Sequence, residues 1–343
     1  MSYLGSVPTL GGMNRRDKDA SNDNEEAFVN LNRLNGIAGV LHAILVLIII
    51  VMTATVGVPY QATVSTVFKS TNTSLLDPAY LTPVCNGTTY DNFFSWADCL
   101  EDEGIELPDE DGPAFAPVET VLFESSIWVL LLVYEIITSA SHFFLFFHSE
   151  VYEYFLSRQM QPFRWIEYSI TSSIMTVAIL GLSGVVDIFL LMGFFALSAS
   201  YNLLGGFFVE FIEASRNTLF DGAPRTLTAL KVYFTAIAWF AFILTFVLIF
   251  YAVSESLGPL FDLESADLWR QLYNFIVILD VILLFLYAVF PMIQLIQLKN
   301  AGDLDVYLRC EKRYIWLSFI AKTVLTLTIL ISATMRNNQE NDA

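Results

Sequence analysis

Long apolar segments separated by short polar ones dominate this chain of 343 residues. A helix needs about 20 apolar residues to cross about 30 Å of hydrocarbon. Segments of that length recur along the chain, and they predict seven membrane-spanning helices between residues 31 and 335, in an all-α membrane protein. We place these helices near residues 36–58, 122–147, 165–186, 188–212, 232–253, 272–297 and 314–333.

Three polar segments flank or interrupt this pattern. Residues 1–30 contain the run Ser21–Glu26 and no apolar core typical of a signal peptide, so they predict a disordered tail. Residues 336–343 predict a short polar tail. Residues 59–118 predict a long loop between the first two spans, and the weak alternation of Tyr60–Phe68 favours a short β element there.

The composition agrees with a membrane protein, being 55% hydrophobic and only 15% charged. The bilayer is therefore the first expected partner, and we expect no nucleic acid and no metal. Lysine and arginine accumulate in loops on the cytoplasmic side of membranes. With the N-terminus in the cytoplasm, thirteen of the seventeen basic residues fall inside, Lys322 lies in the membrane, and only Lys69, Arg270 and Arg336 fall outside.

Residues 59–118 carry features of an extracellular or lumenal loop. The loop contains ten acidic residues, which indicate a solvated surface or, alternatively, a surface that attracts cations. Asn72 and Asn86 begin glycosylation sequons, and Cys85 and Cys99 could close a disulfide. These features predict a plasma membrane or endomembrane protein of a eukaryotic cell or of a virus that infects one. The loop is expected to cap the bundle or to form an oligomer contact.

Lys322 is the only charged side chain in the apolar segment Tyr314–Ser332. A lysine at the centre of a membrane helix costs ~2.5–3.5 kcal/mol on insertion scales. Reaction of its amine with an aldehyde would give a buried Schiff base, and a cationic Schiff base needs an anionic partner. The candidate partner is Glu167.

The depth of Glu167 leaves two interpretations open. Lys322 lies about 13 Å beyond Arg313 along its helix, and Glu167 lies about 5 Å beyond Arg164. Pairing of Glu167 with Lys322 therefore requires the third helix to start deeper than Arg164 suggests. The alternative is an interfacial Glu167 paired with Arg164.

Other polar residues also lie in or near the spans. His42 is in the first span, and Thr138 and His142 share a face of the second because they are four residues apart. They are either hydrogen-bonded structural groups or parts of an inner polar cavity. Four acids have no role assigned by the sequence, namely Glu124, Glu135, Glu210 and Asp280.

Three sequence blocks carry a resemblance to a known family. They are Asn32–His42 (NRLNGIAGVLH), Phe163–Met175 (FRWIEYSITSSIM) and Tyr307–Lys322 (YLRCEKRYIWLSFIAK). On these blocks the chain, over residues 28–334, resembles the heliorhodopsins, seven-helix retinal proteins whose orientation is inverted relative to other microbial rhodopsins. The resemblance implies a rhodopsin-like bundle and a homodimer formed through the first outer loop.

The resemblance also implies a set of site residues. Lys322 would carry all-trans retinal as a protonated Schiff base, with Glu167 as counterion and Ser318 beside the linkage. His42, His142 and Thr138 would form the inner polar cavity and accept a proton. The retinal pocket would include Ser172, Met175, Trp239, Tyr287 and Gln294, with Ser198 and Tyr201 where the family commonly has asparagine and methionine.

Several functions compete on this basis. One is a photosensory receptor that signals to a cytoplasmic partner, and another is a light-gated proton or cation channel, suggested by the additional membrane acids. An outward proton pump is disfavoured because Ala178 and Ser318 stand where pumps carry carboxylates. A G-protein-coupled ligand receptor is disfavoured by the orientation and by missing motifs. No hydrolase motif supports an enzyme.

Overall fold

The computed structural model describes residues 15–56, 61–71, 115–182, 185, 187–219, 225–257 and 266–342. These residues form nine α-helices, one π-helical turn and two strands. In chain order the elements are α1 (Arg15–Val56), β1 (Gln61–Thr71), β2 (Phe115–Ser126), α2 (Ile127–Phe147), α3 (Ser149–Leu156), α4 (Pro162–Leu182), α5 (Ile188–Asn202), the π-helical turn (Leu203–Phe208), α6 (Val209–Leu219), α7 (Arg225–Leu257), α8 (Ala266–Lys299) and α9 (Leu304–Asp342).

Seven helical segments in this part of the chain are long and apolar enough to cross a membrane, which confirms the predicted fold class. The fourth of them is continuous through α5, the π-helical turn and α6. We number them span one (Asn24–Thr55), span two (Ile127–Phe147), span three (Pro162–Leu182), span four (Ile188–Ser215), span five (Leu227–Glu255), span six (Val277–Lys299) and span seven (Leu304–Leu330).

Several span boundaries differ from the sequence-based prediction, and helix caps account for two of them. Span two begins at Ile127 instead of 122, because residues 115–126 form β2 and the Ser126 hydroxyl then caps the helix by accepting from the Trp128 backbone N–H at 3.3 Å. Span seven begins at Leu304 instead of 314. There the Asp303 carboxylate accepts from the Val306 N–H at 3.1 Å, so the charged segment before Tyr314 belongs to the helix.

The helices also extend into the predicted polar tails. Residues 15–30 are helical where composition predicted disorder, and Ala27 and Phe28 pack against a cluster that contains Leu31. This packing supplies tertiary support that a composition argument does not register. At the other end α9 continues to Asp342, through most of the predicted tail 336–343.

Strands β1 and β2 form a two-stranded sheet, most of which, residues 63–71 and 115–124, belongs to a second compact unit. Strand β1 overlaps the β element predicted at Tyr60–Phe68, whereas β2 includes residues that the apolar pattern assigned to a helix. Asn72, Cys85, Asn86 and Cys99 lie outside the described residues, so glycosylation and the disulfide stay predictions.

The helical unit buries polar groups at its centre and exposes apolar groups outward. Span two packs against spans one and three, and span seven packs against spans one and six. Leu131, Leu283 and Leu325 are fully buried in the main apolar cluster, while Phe240 and Phe285 are each 68% exposed. Large exposed aromatic side chains on these helices are consistent with a lipid-facing surface.

Candidate functional site

Lys322 and Glu167 form a buried ion pair between spans seven and three. The Lys322 Nζ lies 2.5 Å from Glu167 Oε1, and the residues are only 3% and 6% exposed. The Ser318 Oγ, one turn earlier in the same helix, lies 3.1 Å from Nζ, and the Tyr168 ring centroid lies 5.5 Å from it. The structure thus brings together three residues that the sequence predicted to be neighbours.

Glu167 is held as an acceptor by hydroxyl groups as well as by the lysine. Its Oε1 accepts from Thr138 Oγ1 of span two at 2.8 Å and from Thr171 Oγ1 of span three at 2.9 Å. Hydrogen bonds to a carboxylate favour its ionised form. The predicted polar-cavity residue Thr138 therefore contacts the carboxylate directly.

Arg164 does not pair with Glu167. Its guanidinium is buried and forms ion pairs with Glu210, at 2.5 Å, and with Glu311, and its Cζ lies 4.1 Å above the Tyr314 ring. The alternative in which Glu167 pairs with Arg164 is therefore wrong. Glu167 meets Lys322, the partner that the sequence named as the candidate.

The surroundings of Arg164 form a second buried polar cluster that the sequence did not reveal. The backbone N–H of Gln161 donates to Glu210 at 2.9 Å, and the Tyr152 hydroxyl donates to Glu311 at 3.1 Å. Burial raises the pKa of Tyr152 above its ordinary value, so this hydroxyl keeps its proton and remains a donor. The sequence placed Glu210 in or near a span without a partner, whereas Arg164 and Glu311 resemble ordinary charges at helix ends.

A cavity extends from Lys322 between spans three, four, five, six and seven. Its empty volume is about 740 Å³, including the space at its mouth, which is in the range of small-molecule sites. Seven residues predicted to contact retinal line it together with Lys322, namely Ser172, Met175, Tyr201, Trp239, Tyr287, Gln294 and Ser318. Ser198 lies behind this wall and hydrogen-bonds to Ser172 and to Tyr201.

The π-helical turn shapes the wall that span four contributes. A Cβ atom on Gly206 would lie 2.1 Å from Trp165 Cε3, and one on Gly205 would lie 2.6 Å from Ala238 Cβ. The Gly205 carbonyl accepts a hydrogen bond from the Gln294 side chain of span six. Gln294 therefore satisfies a backbone carbonyl in the π-helical turn, a type of distortion frequent at functional sites.

The two predicted cavity histidines lie together between spans one and two. The rings of His42 and His142 stack with centroids 5.7 Å apart and planes 7° from parallel. His42 Nδ1 lies 2.6 Å from Glu135 Oε2, and His142 Nδ1 lies 2.8 Å from Asn35 Oδ1. Glu135 had no role in the sequence-based prediction, although its seven-residue spacing from His142 places both on one helix face.

The other membrane acids are distributed differently. Asp280 of span six is 1% exposed, and neither of its carboxylate oxygens has a hydrogen-bond partner within the described part of the chain. Glu210 belongs to the Arg164 cluster. The side chain of Glu124 is outside the described side chains.

Two comparisons with known proteins bear on this arrangement. The model of the family described as Heliorhodopsin matches residues 105–334, which is more than half of the chain and includes Glu167 and Lys322. No curated protein matches the chain at a significant level.

Proposed function

This chain belongs to the heliorhodopsin family of retinal-binding, light-responsive membrane proteins, and on that premise we propose that Lys322 carries all-trans retinal as a protonated Schiff base with Glu167 as its counterion. The observation that supports this most strongly is the 2.5 Å contact between Lys322 Nζ and Glu167 Oε1 at one end of the cavity. Bound retinal supplies visible absorption and a light-driven isomerisation.

The residues around the cavity fit a long apolar group attached to the lysine. Aromatic rings of Trp165, Tyr168, Trp239 and Phe290 line it, and such rings pack against an extended conjugated chain. Ser318 and Glu167 contact Nζ at the Lys322 end, and a few other polar side chains, among them Asn202 and Gln294, interrupt the largely apolar wall. A largely apolar wall with a small number of polar groups is typical of cofactor sites.

Glu167 has the surroundings that a counterion requires. A buried cation without an anion is unstable in a low-dielectric interior, and within the described residues Glu167 is the carboxylate that contacts Lys322. Thr138 and Thr171 donate to the same oxygen. The carboxylate therefore stays ionised, and Nζ keeps its proton in the dark.

We propose a photosensory role as the primary function, in which movement at Lys322 alters the cytoplasmic surface for a signalling partner. The buried Asp280, which has no hydrogen-bond partner within the described residues, favours a light-gated proton or cation channel as the second candidate.

Orientation and assembly are proposals from the sequence. The basic residues favour a cytoplasmic N-terminus, and the sequons at Asn72 and Asn86 favour a glycosylated outer loop. The family resemblance supports a homodimer formed through that loop. A glycosidase-induced mass shift that is lost in the double variant N72Q/N86Q would test the side of the membrane on which the loop lies.

Reconstitution with all-trans retinal tests the central proposal. Wild type should show a visible absorption band, and Lys322→Ala should abolish it. The matched control is Lys231→Ala. Lys231 is not among the residues that line the cavity, and its Nζ pairs with Glu213 Oε2 at 2.8 Å. An unchanged band in Lys322→Ala would overturn the proposal.

Patch-clamp recording under illumination separates the candidate functions. Electrically silent membranes support the photosensory role, whereas currents that reverse with the ion gradient support the channel. Currents that persist without a gradient would contradict both and indicate a pump.

A further inference from the structure

Two stacked histidines include His142, one helical turn from the Thr138 that donates to the counterion, and the Nδ1 atoms of the two rings face different partners. His42 Nδ1 faces a carboxylate, Glu135 Oε2, at 2.6 Å. His142 Nδ1 faces a neutral amide oxygen, Asn35 Oδ1, at 2.8 Å. The two rings are otherwise closely matched, since both are buried and they are nearly parallel.

The hydrogen bonds around Asn35 and Glu135 assign the protons. The Asn35 Nδ2 donates to the Leu31 carbonyl at 3.2 Å, so its Oδ1 is the atom that accepts from His142. The Thr326 hydroxyl donates to Glu135 Oε1 at 2.8 Å, and the Tyr134 hydroxyl lies 2.6 Å from Thr326. Because Thr326 has a single proton, Tyr134 is the donor in that second bond.

These bonds place both oxygens of Glu135 as hydrogen-bond acceptors, as in an ionised carboxylate. One of its oxygens accepts from Thr326, and the other accepts from His42 when Nδ1 carries the proton. His42 Nε2 is then an acceptor, and it has no hydrogen-bond partner within the described part of the chain. A buried acceptor without a partner is unfavourable, and a proton placed there would become part of an ion pair.

The stacked geometry allows one imidazolium at a time. Two parallel cations with centroids 5.7 Å apart would repel each other in a low-dielectric interior. The carboxylate of Glu135 stabilises a positive charge on His42 more than the amide dipole of Asn35 stabilises one on His142. The first proton to arrive at this pair therefore belongs on His42.

Span two connects the histidines to the counterion. Glu135, Thr138 and His142 recur at intervals of three and four residues, which places them on one face of the helix. Thr138 donates to Glu167, and the ring of His142, one turn further along the helix, stacks on that of His42. The charged and titratable groups that this network joins to the pair are Glu135, which contacts His42, Tyr134, which reaches Glu135 through Thr326, and the Glu167–Lys322 pair, which Thr138 contacts.

We propose that Glu135 is a positioning residue that selects His42, and not His142, as the group that takes up the proton released from the Lys322 nitrogen. The N–H bond at that nitrogen breaks, an N–H bond forms at His42 Nε2, and the resulting imidazolium pairs with the Glu135 carboxylate. This inference rests on the proposed function, because it concerns the proton that the retinal-linked nitrogen carries.

Dark-state NMR of the full-length protein in lipid vesicles tests the arrangement without any photochemistry. The chain has only three histidines, so ¹⁵N-histidine labelling with the variants His142→Asn and His148→Asn assigns every signal. We expect neutral His42 with a protonated Nδ1 and a bare Nε2. A protonated Nε2, either in the other tautomer or in an imidazolium, would overturn the proposal.

Illuminated samples test the selection itself. Wild type trapped after illumination should show the imidazolium signal on His42. The double variant E135Q/N35D moves the carboxylate from one ring to the other, and the imidazolium signal should move to His142. The proposal is overturned by an imidazolium on His142 in wild type, or by one that stays on His42 in the double variant.

A kinetic comparison adds a matched control. In Glu135→Gln the flash-induced loss of the visible band should slow about 100-fold, the scale for loss of a positioned proton-transfer group. Thr326→Val removes a hydrogen bond from the same carboxylate and leaves the contact with His42, so its rate should stay within a few-fold of wild type. Equal slowing in both variants would contradict a role specific to His42.

Failure of the proposed function would look different. A visible band that survives in Lys322→Ala would invalidate the retinal linkage. The dark-state tautomer of His42 would still show whether His42 Nδ1 donates to Glu135. If Glu135→Gln does not fold, the wild-type NMR signals still decide the proposal.

Discussion

The ring of Trp165 occupies the space that a side chain on Gly206 would need. A Cβ atom there would lie 2.1–2.6 Å from three atoms of the indole. The contact joins the π-helical turn of span four to span three, next to the Arg164 that anchors the second polar cluster. Trp165 also lines the cavity, so the glycine sets the position of a cavity wall.

Gly206→Ala should displace Trp165 and disturb the cavity. Forcing an extra methyl group into a packed core typically costs about 1–3 kcal/mol. We expect a lower free energy of unfolding in a detergent titration and a shifted visible band. Gly193→Ala is the matched control, since it lies in the same span and a Cβ there would meet nothing within 4 Å. Equal effects in both variants would show that the indole contact is not the cause.

Glu167→Gln should move the visible band to longer wavelength at acidic pH. An anion beside Nζ stabilises the ground state, in which the positive charge lies at the nitrogen, so its removal narrows the energy gap. The protonated Schiff base at Lys322 also loses its anionic partner and gives up its proton more easily. As the pH is raised, the visible band should therefore disappear at a lower pH than in wild type. A spectral pH titration measures both effects, with Glu213→Gln as control. If the spectral titration of Glu167→Gln is the same as that of wild type, Glu167 is not the counterion.

Removal of the threonine hydroxyl groups that donate to Glu167 should shift the visible band in the opposite direction to Glu167→Gln. Thr138→Val and Thr171→Val each remove one donor from Oε1, and a hydrogen bond to a charged group contributes about 1.5–3 kcal/mol. The field of the carboxylate then acts more fully on Nζ, so the band should shift to shorter wavelength. The ionised carboxylate is also less stabilised, and the acid-induced colour change should begin at higher pH.

Ser173→Ala is the control for these threonine variants. Its hydroxyl donates only to the Ser169 carbonyl within the same helix, at 2.6 Å. We expect the wild-type spectrum and the wild-type acid transition. A shift of the same size as in Thr171→Val would mean that any lost hydroxyl in span three perturbs the band.

Arg164→Ala should destabilise the protein strongly. It leaves the carboxylates of Glu210 and Glu311 buried without their cation, and removal of one partner of a buried ion pair typically costs about 3–5 kcal/mol. Lys231→Ala, which removes the cation from the less buried pair with Glu213, should cost less. Detergent-induced unfolding of both variants measures the difference, and equal losses would contradict a structural role of the Arg164 cluster.

The sequence predicted those features that depend on composition and local spacing. Seven spans follow from the length of the apolar segments, and Lys322 is conspicuous because its segment has no other charge. Ser318 was implied by the family resemblance, and its four-residue spacing from Lys322 agrees with the contact that the structure shows. The strand β2 was missed because its apolar, β-branched residues also fit the beginning of a membrane helix.

Long-range partners could not be predicted in the same way. Glu135 meets His42 across 93 residues, and Tyr152 meets Glu311 across 159. The local pattern places Glu135 in an apolar span, on the helix face of His142, but it does not identify a partner on another helix. The partners of Arg164 were missed for the same reason, since Glu210 and Glu311 are distant from it in sequence.

Ser318, Lys322 and Thr326 follow one another at four-residue intervals along span seven and therefore lie on one face of a single rigid rod. Lys322 and Thr326 contact two different carboxylates, Glu167 and Glu135. A rotation of this helix about its own axis would loosen both contacts in the same instant. The two carboxylate contacts are thus mechanically linked through one continuous helix, with no loop or hinge between them.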